Sequence, residues 1–143
     1  MSKIEIKIGN SNESEIGSLL DEQLYAFNVQ TTGITDGMML NALVHDETGN
    51  VIAGINGHTW GGCCEIKQLW VNESYRGQGL GSRLLQAAEQ EAKRRHCHQI
   101  LLATHSFQAP HFYEKFGFHR LASVPNYPQG HQQIFYIKHL SPD

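Results

Sequence analysis

The sequence predicts an α+β fold, a mixed and mostly antiparallel central sheet of about seven strands flanked by helices. Three observations predict it. Alternating stretches come in pairs joined by turn signals, at Asp46–Asn50 and at Gly61-Gly62. One apolar stretch, His98–Thr104, follows a helix and is apolar enough for a sheet interior. The order strand, helix, three strands, helix, strand, helix, two strands joins hairpins to a β-helix-β crossover.

Each element has its own warrant. Lys3–Ile8 alternates, with Ile4, Ile6 and Ile8 on one face, the period of a half-buried strand. Asn10 or Ser11 is placed to cap a helix whose Ile16, Leu19, Leu20, Leu24 and Phe27 recur at helical spacing. Thr31–Gly37 reads as a loop, followed by strands near Met39–Asp46, Val51–Trp60 and Cys63–Val71. From Leu80 a helix sets Leu80, Leu84, Ala88 and Ala92 on one face and Arg83, Gln86, Glu89 and Lys93 on the other. A short helix near Pro110–Phe116 ends at Gly117, suited to the left-handed C-terminal position. Strands near Phe118–Val124 and Gln132–Leu140 close the chain. Without repeats or a linker-like stretch, the 143 residues are expected to form one domain, long enough to bury roughly two-thirds of the unfolded surface.

Composition narrows the function. With 40% hydrophobic and 17% charged residues the chain reads as globular. A net charge of −3 gives no broad basic surface for nucleic acid. No apolar run is long enough to span a bilayer, and Met1–Gly9 lacks a signal-peptide core. Cys63, Cys64 and Cys97 are an odd set with two adjacent, so reduced thiols and a cytoplasmic location are expected.

The chemistry concentrates where the strand ending at Val71 meets the next helix. Arg76-Gly77-Gln78-Gly79-Leu80-Gly81-Ser82 runs through three alternating glycines into a helix start, where backbone N–H groups and the helix dipole favour an anion. Arg76 adds a guanidinium for a phosphate oxygen. The loop lacks the lysine of a Walker loop. Its glycines, spaced by two, do not fit a dinucleotide fingerprint either.

Arg76, Gly79 and Gly81 fit the pattern Gln/Arg-x-x-Gly-x-Gly/Ala, which resembles the acetyl-CoA motif of the GNAT superfamily of N-acetyltransferases. Ala109-Pro110-His111-Phe112-Tyr113-Glu114-Lys115-Phe116-Gly117-Phe118 is similar to a second signature of the superfamily, Ala-x-x-Phe/Leu-Tyr-x-x-x-Gly-Phe. The resemblance runs from Ile4 to Leu140 and implies acetyl-CoA in a V-shaped split between the fourth and fifth strands. Leu69, Trp70 and Val71 would hold the pantetheine arm, and Arg76, Gly77, Gln78, Gly79, Leu80, Gly81 and Ser82 the pyrophosphate. Thr104, Ser106, Ala109 and Phe112 complete the implied donor site, Ser106 standing where many members carry asparagine. Ser106-Phe107-Gln108-Ala109 and Tyr127-Pro128-Gln129-Gly130-His131 look like one branch of the superfamily.

Acetyl transfer to an amine needs a base for the ammonium, stabilisation of the oxyanion and an acid for the departing thiolate. Tyr113, in its motif, is the candidate acid, because a phenol keeps its proton at neutral pH. Glu65 is the candidate base, six residues before Val71, where some members of the superfamily carry a catalytic glutamate. A two-residue turn at Gly61-Gly62 would pair Trp60 with Cys63, Thr59 with Cys64 and His58 with Glu65, making a His-Glu relay. Tyr25, Asn28, Trp60, Lys67, Tyr127 and His131 are acceptor-side candidates, Lys67 by its place on Glu65's face. The expected acceptor is a small-molecule or peptide amine, and a homodimer is compatible with such a domain. A non-catalytic acyl-CoA-binding module and a transferase for a larger acyl group are the competing readings. The run His96-Cys97-His98 falls at a helix-strand junction where its side chains diverge, so no metal is expected. Lys93-Arg94-Arg95 closes a helix, where cations suit the dipole. Direct transfer from CoA needs no enzyme thiol.

Overall fold

The computed structural model describes residues 3–141, which fall into two compact units divided between Thr35 and Asp36. The first unit is built on α1 (Glu13–Thr32). Asn12 stands at its N-cap, one or two residues later than expected and with no side-chain capping bond. Gly33, at φ 73°, closes it with its N–H on the Val29 carbonyl. The strand expected at Lys3–Ile8 is not formed. Alternation only supplies a two-faced segment; a strand exists where a neighbouring backbone completes its ladder, and no ladder reaches these residues.

The second unit carries β1 (Met38–His45), β2 (Val51–Trp60), β3 (Cys63–Val71), α2 (Leu80–Arg94), β4 (Gln99–His105), α3 (Pro110–Lys115), β5 (His119–Pro125) and β6 (Gln132–His139). The sheet has six strands in the order β1-β2-β3-β4-β6-β5. Only β3 and β4 run parallel; the other neighbours are antiparallel. The mixed, mostly antiparallel α+β architecture is therefore as expected, with one strand fewer.

The turns fold as their residues dictate. Asp46 Oδ1 accepts from the N–H groups of Thr48 and Asn50, both at 2.9 Å, and from the Thr48 hydroxyl at 2.8 Å. Those bonds, the Asn50 N–H first, hold the Asp46 carboxyl below its ordinary pKa. Gly61 and Gly62 turn at φ 61° and 87°, which fixes the register His58↔Glu65, Thr59↔Cys64 and Trp60↔Cys63.

One irregularity matters for function. Between Asn56 and Gly57 the register slips: Gly57 pairs with Ile66 but Asn56 pairs with Gln68, so Lys67 is an extra residue on β3. Up to the bulge Cys64 and Ile66 are buried; beyond it Leu69 and Val71 are the inward residues, while Gln68 and Trp70 face out. Strict alternation would have kept Leu69 and Val71 on the face of Glu65 and Lys67.

The core lies between one sheet face and α2. Leu84, Leu85, Ala88 and Ala92 of α2 are buried in one cluster with Ile55, Cys64, Ile66, Ile100, Leu102, Ile134 and Tyr136. Arg95 is not only a cation for the helix dipole. Its Nε donates to Glu91 at 2.9 Å, and its NH1 donates to the Met39 carbonyl and the Thr59 hydroxyl, each at 3.0 Å. A buried hydroxyl and a sheet carbonyl are thereby satisfied.

Candidate functional site

The parallel ladder of β3 with β4 runs from Cys63↔Gln99 to Ile66↔Leu102 and stops at the bulge. Beyond that point β3 stays with β2 as far as Ala53↔Val71, while β4 stays with β6 as far as His105↔Gln133. The two halves of the sheet therefore part between β3 and β4, the V-shaped split expected there once the unformed first strand is left out of the numbering. The Asn72 N–H donates to the Ile52 carbonyl at 2.8 Å, so strand alternation turns the N–H and C=O groups of Val71 and Leu69 toward the split.

A cleft of about 910 Å³ occupies the split. Of the residues expected at the donor site, Leu69, Trp70, Val71, Arg76, Gly77, Gly79, Leu80, Gly81, Ser82, Thr104, Ala109 and Phe112 line it, as does Tyr113. Gln78 and Ser106 do not. Ser106 is used by the sheet edge instead: its hydroxyl accepts from the Gln132 N–H at 3.0 Å, and its own N–H donates to the Gln132 carbonyl at 2.8 Å.

The cradle is built by backbone conformation. Asn72 caps a single 3₁₀ turn, Glu73–Tyr75, by accepting from the Ser74 N–H at 2.9 Å. Gly77 and Gly79 then sit at φ 81° and 80°, the left-handed region that glycine adopts without strain. Gly79 is the N-cap of α2, so the N–H groups of Leu80, Gly81 and Ser82 have no acceptor within the helix. A Cβ on Gly81 would lie 3.6 Å from Phe112 and 3.7 Å from Val71, ordinary contact, so this third glycine is not sterically required. The Arg76 Nε donates to the Val71 carbonyl at 3.1 Å, which ties the loop to the strand end and leaves its terminal nitrogens for an anion.

Tyr113 is 8% exposed, packed by Phe112 and Phe118 with ring centroids at 5.2 Å and 5.8 Å and by Tyr136 at 6.2 Å. Burial pushes its hydroxyl pKa above the usual value of 10, so it keeps its proton throughout the neutral range. Behind it the Tyr136 hydroxyl donates to Glu114 at 2.6 Å. His58 Nε2 and Glu65 Oε2 face each other at 3.7 Å, both partly exposed. Burial pushes the Cys64 thiol up to about 12 and raises Cys63 and Cys97 too, so none is poised as a thiolate.

The acceptor-side candidates are dispersed. Lys67, at the bulge, lines the cleft. Tyr127 and His131 do not line it and connect to it through ring contacts: Phe107, in the lining, meets the His131 ring at 4.9 Å and stacks on His105 at 5.4 Å. His105 in turn meets the Tyr127 ring at 5.1 Å and bonds the Tyr127 carbonyl through Nδ1 at 3.0 Å. Trp60 stands at the hairpin end of β2. Tyr25 and Asn28 belong to α1 in the first unit, where the Asn28 carbonyl accepts from the Thr32 hydroxyl at 2.7 Å.

Sequence reasoning assigned no role to Gln108. Its Oε1 accepts from the Thr104 hydroxyl at 2.9 Å and from the His105 N–H at 2.8 Å, folding the loop over the cleft wall. A glutamine three residues past a strand end is the only signal it gives. Among the described residues no group of three or more His, Cys, Asp or Glu is placed to hold a metal, and no helix is long and apolar enough to cross a membrane.

The acetyltransferase (GNAT) family model matches residues 13–118. The chain belongs to the GNAT acetyltransferase family. A Blasticidin-S acetyltransferase of Streptomyces morookaense is 38% identical over 95 residues, which is 66% of this chain and 70% of that one. The crystal structure of an acetyltransferase from Bacillus cereus superposes with a TM-score of 0.75 at 34% identity, covering 94% of this chain and 98% of that one. A Bacillus anthracis structure in complex with acetyl coenzyme A superposes with a TM-score of 0.60 at 26% identity, over 75% and 64% of the two chains.

Proposed function

We propose that this acetyltransferase is acetyl-CoA-dependent and acetylates a primary amine by direct attack in a ternary complex. The observation that carries the reading is the termination of the β3–β4 ladder at Ile66↔Leu102, which opens a cleft directly beside the Gly77–Ser82 cradle. The donor fits what is there. Backbone N–H groups at the start of α2 and the Arg76 guanidinium suit a pyrophosphate, and the split offers Leu69 and Val71 amides to an extended amide-bearing arm. Acetyl-CoA, when bound, supplies the acetyl group as an activated thioester.

The protein's own groups do the rest. Glu65, with His58 at 3.7 Å, takes the proton that makes the acceptor ammonium a nucleophile. A backbone N–H of β3 at the split polarises the acyl oxygen. Tyr113, kept protonated by burial, gives a proton to the departing sulfur. A sensor that only binds acyl-CoA needs neither a buried phenol in the cleft nor a His–Glu pair across β2 and β3. Three free cysteines, two of them buried, suit a reducing cytoplasm. The likeness to a Blasticidin-S acetyltransferase puts blasticidin S on the acceptor panel. The test is release of free CoA thiol on addition of amines. The proposal expects amine-dependent release with one acetyl group gained by the amine, and donor binding without release on any amine would overturn it.

A further inference from the structure

Leu40, Ile55, Cys64 and Ile66 are buried in one cluster with α2, so their alternates on β1–β3 stand on the opposite sheet face. Register aligns those alternates in rows. Met39, His58 and Glu65 form one, Asn41, Asn56 and Gln68 the next, and Leu43, Gly54 and Trp70 the third. The bulge at Lys67 creates the middle row by bringing Gln68 rather than Lys67 opposite Asn56.

A trough of about 400 Å³ lies over the middle and third rows. Gly54 keeps it open, since a Cβ there would meet a Leu43 methyl at 2.8 Å and the Ala42 carbonyl at 3.3 Å. Gln68 and Trp70 line both this trough and the main cleft, so the two adjoin at those side chains. Every residue lining the trough is uncharged. On its floor Asn56 Nδ2 donates to Gln68 Oε1 at 2.7 Å. That bond fixes both amides and uses only part of their capacity: Asn56 keeps its oxygen and one N–H, and Gln68 its NH₂.

We propose that this trough holds the non-reacting end of the acceptor and selects an amine carrying a carboxamide over one carrying a second charge. The inference rests on the acetyltransferase reading. A carboxamide presents one acceptor and a pair of donors, the complement of what the amide row has left. An ammonium or a carboxylate would find no counter-charge among the lining residues. The amide row is two residues along β2 from His58, so the reacting nitrogen and the carboxamide stand about 7 Å apart.

The test is a set of four amines of equal length at saturating acetyl-CoA, read by thiol release: an ω-amino carboxamide, an ω-amino carboxylate, a diamine and a plain alkylamine. The carboxamide is expected to have the highest kcat/KM, about tenfold above the diamine, from two neutral hydrogen bonds. Asn56→Leu is expected to raise KM for the carboxamide about tenfold at nearly constant kcat, leaving the alkylamine and the KM for acetyl-CoA unchanged. Asn41→Leu, at the exposed edge of the row, tests the same floor if Asn56→Leu fails to fold. Equal kcat/KM across the four amines, or loss of alkylamine turnover in step with the carboxamide in both variants, would overturn the trough as a specificity site. No turnover on any amine by a protein that binds CoA would instead overturn the acetyltransferase reading, and this inference with it.

Discussion

Alanine at Gly79 and at Gly81 separates the two roles glycine plays in the cradle. Gly79 sits at φ 80° with nothing within 4 Å of an added Cβ, so an alanine meets no clash. What it meets is the left-handed backbone itself, at a cost of about 1–2 kcal/mol. For a chain of this size that lowers Tm by about 3–6 °C. The relaxation also redirects the first N–H groups of α2, and losing one charge-assisted bond to a phosphate weakens CoA binding about tenfold to a hundredfold. Gly81 differs. It lies inside α2, and its added Cβ would make only ordinary contacts with Phe112 and Val71. Alanine in this first turn gains at most the interior helix propensity of about 0.8–1 kcal/mol, so Gly81→Ala holds Tm or raises it by up to about 3 °C. Thermal melts with CoA titration calorimetry read both effects. Gly81→Ala as destabilising as Gly79→Ala, or Gly79→Ala with unchanged CoA affinity, would refute the reasoning.

Three further outcomes follow from the same geometry. Tyr113→Phe keeps the ring packing against Phe112, Phe118 and Tyr136, so Tm should hold within a few degrees while kcat falls about 10²–10⁴-fold; an unchanged kcat removes the hydroxyl from the chemistry. Because burial raises the Tyr113 pKa, its contribution to stability is fully present below the unfolded value of about 10 and is lost as pH rises through the higher folded value, so Tyr113→Phe should flatten the alkaline fall in Tm above pH 10. Glu65→Gln should lower kcat with little change in the KM for acetyl-CoA, with His58→Ala giving a smaller loss; an unchanged kcat in Glu65→Gln assigns the base elsewhere. Cys64, pushed up to about 12 and fully buried, should resist a thiol reagent at pH 8 in the native protein and react only on unfolding, checked by mass mapping of the labelled peptides.

Local rules were enough for the hairpin and the cradle. Gly61-Gly62 sets a two-residue turn, and the turn alone fixes His58 opposite Glu65. Gly77 and Gly79 advertise a left-handed path because few other residues take one. Tyr113 was legible from its motif, and its burial follows from the aromatic neighbours at Phe112 and Phe118. Features that depend on partners were not legible. Lys3–Ile8 has the right period but no ladder to join. The bulge at Lys67 is a mismatch between two strands, invisible to a reading that assumes unbroken alternation along one. Ser106 and Gln108 trade places for a similar reason. Which of them faces the cleft depends on the start of β6, twenty-odd residues away, claiming the Ser106 hydroxyl. The row Asn41, Asn56 and Gln68 exists only once three strands are in register.

The measurement that tests the central claim most directly is a thiol-release assay with acetyl-CoA and an amine panel, run on the native chain and on Tyr113→Phe. Amine-dependent CoA release by the native chain, with an acetyl group found on the amine and turnover at least about a hundredfold lower in the variant, is the predicted result. Tight CoA binding with no amine-dependent release, or equal turnover by both proteins, would contradict it.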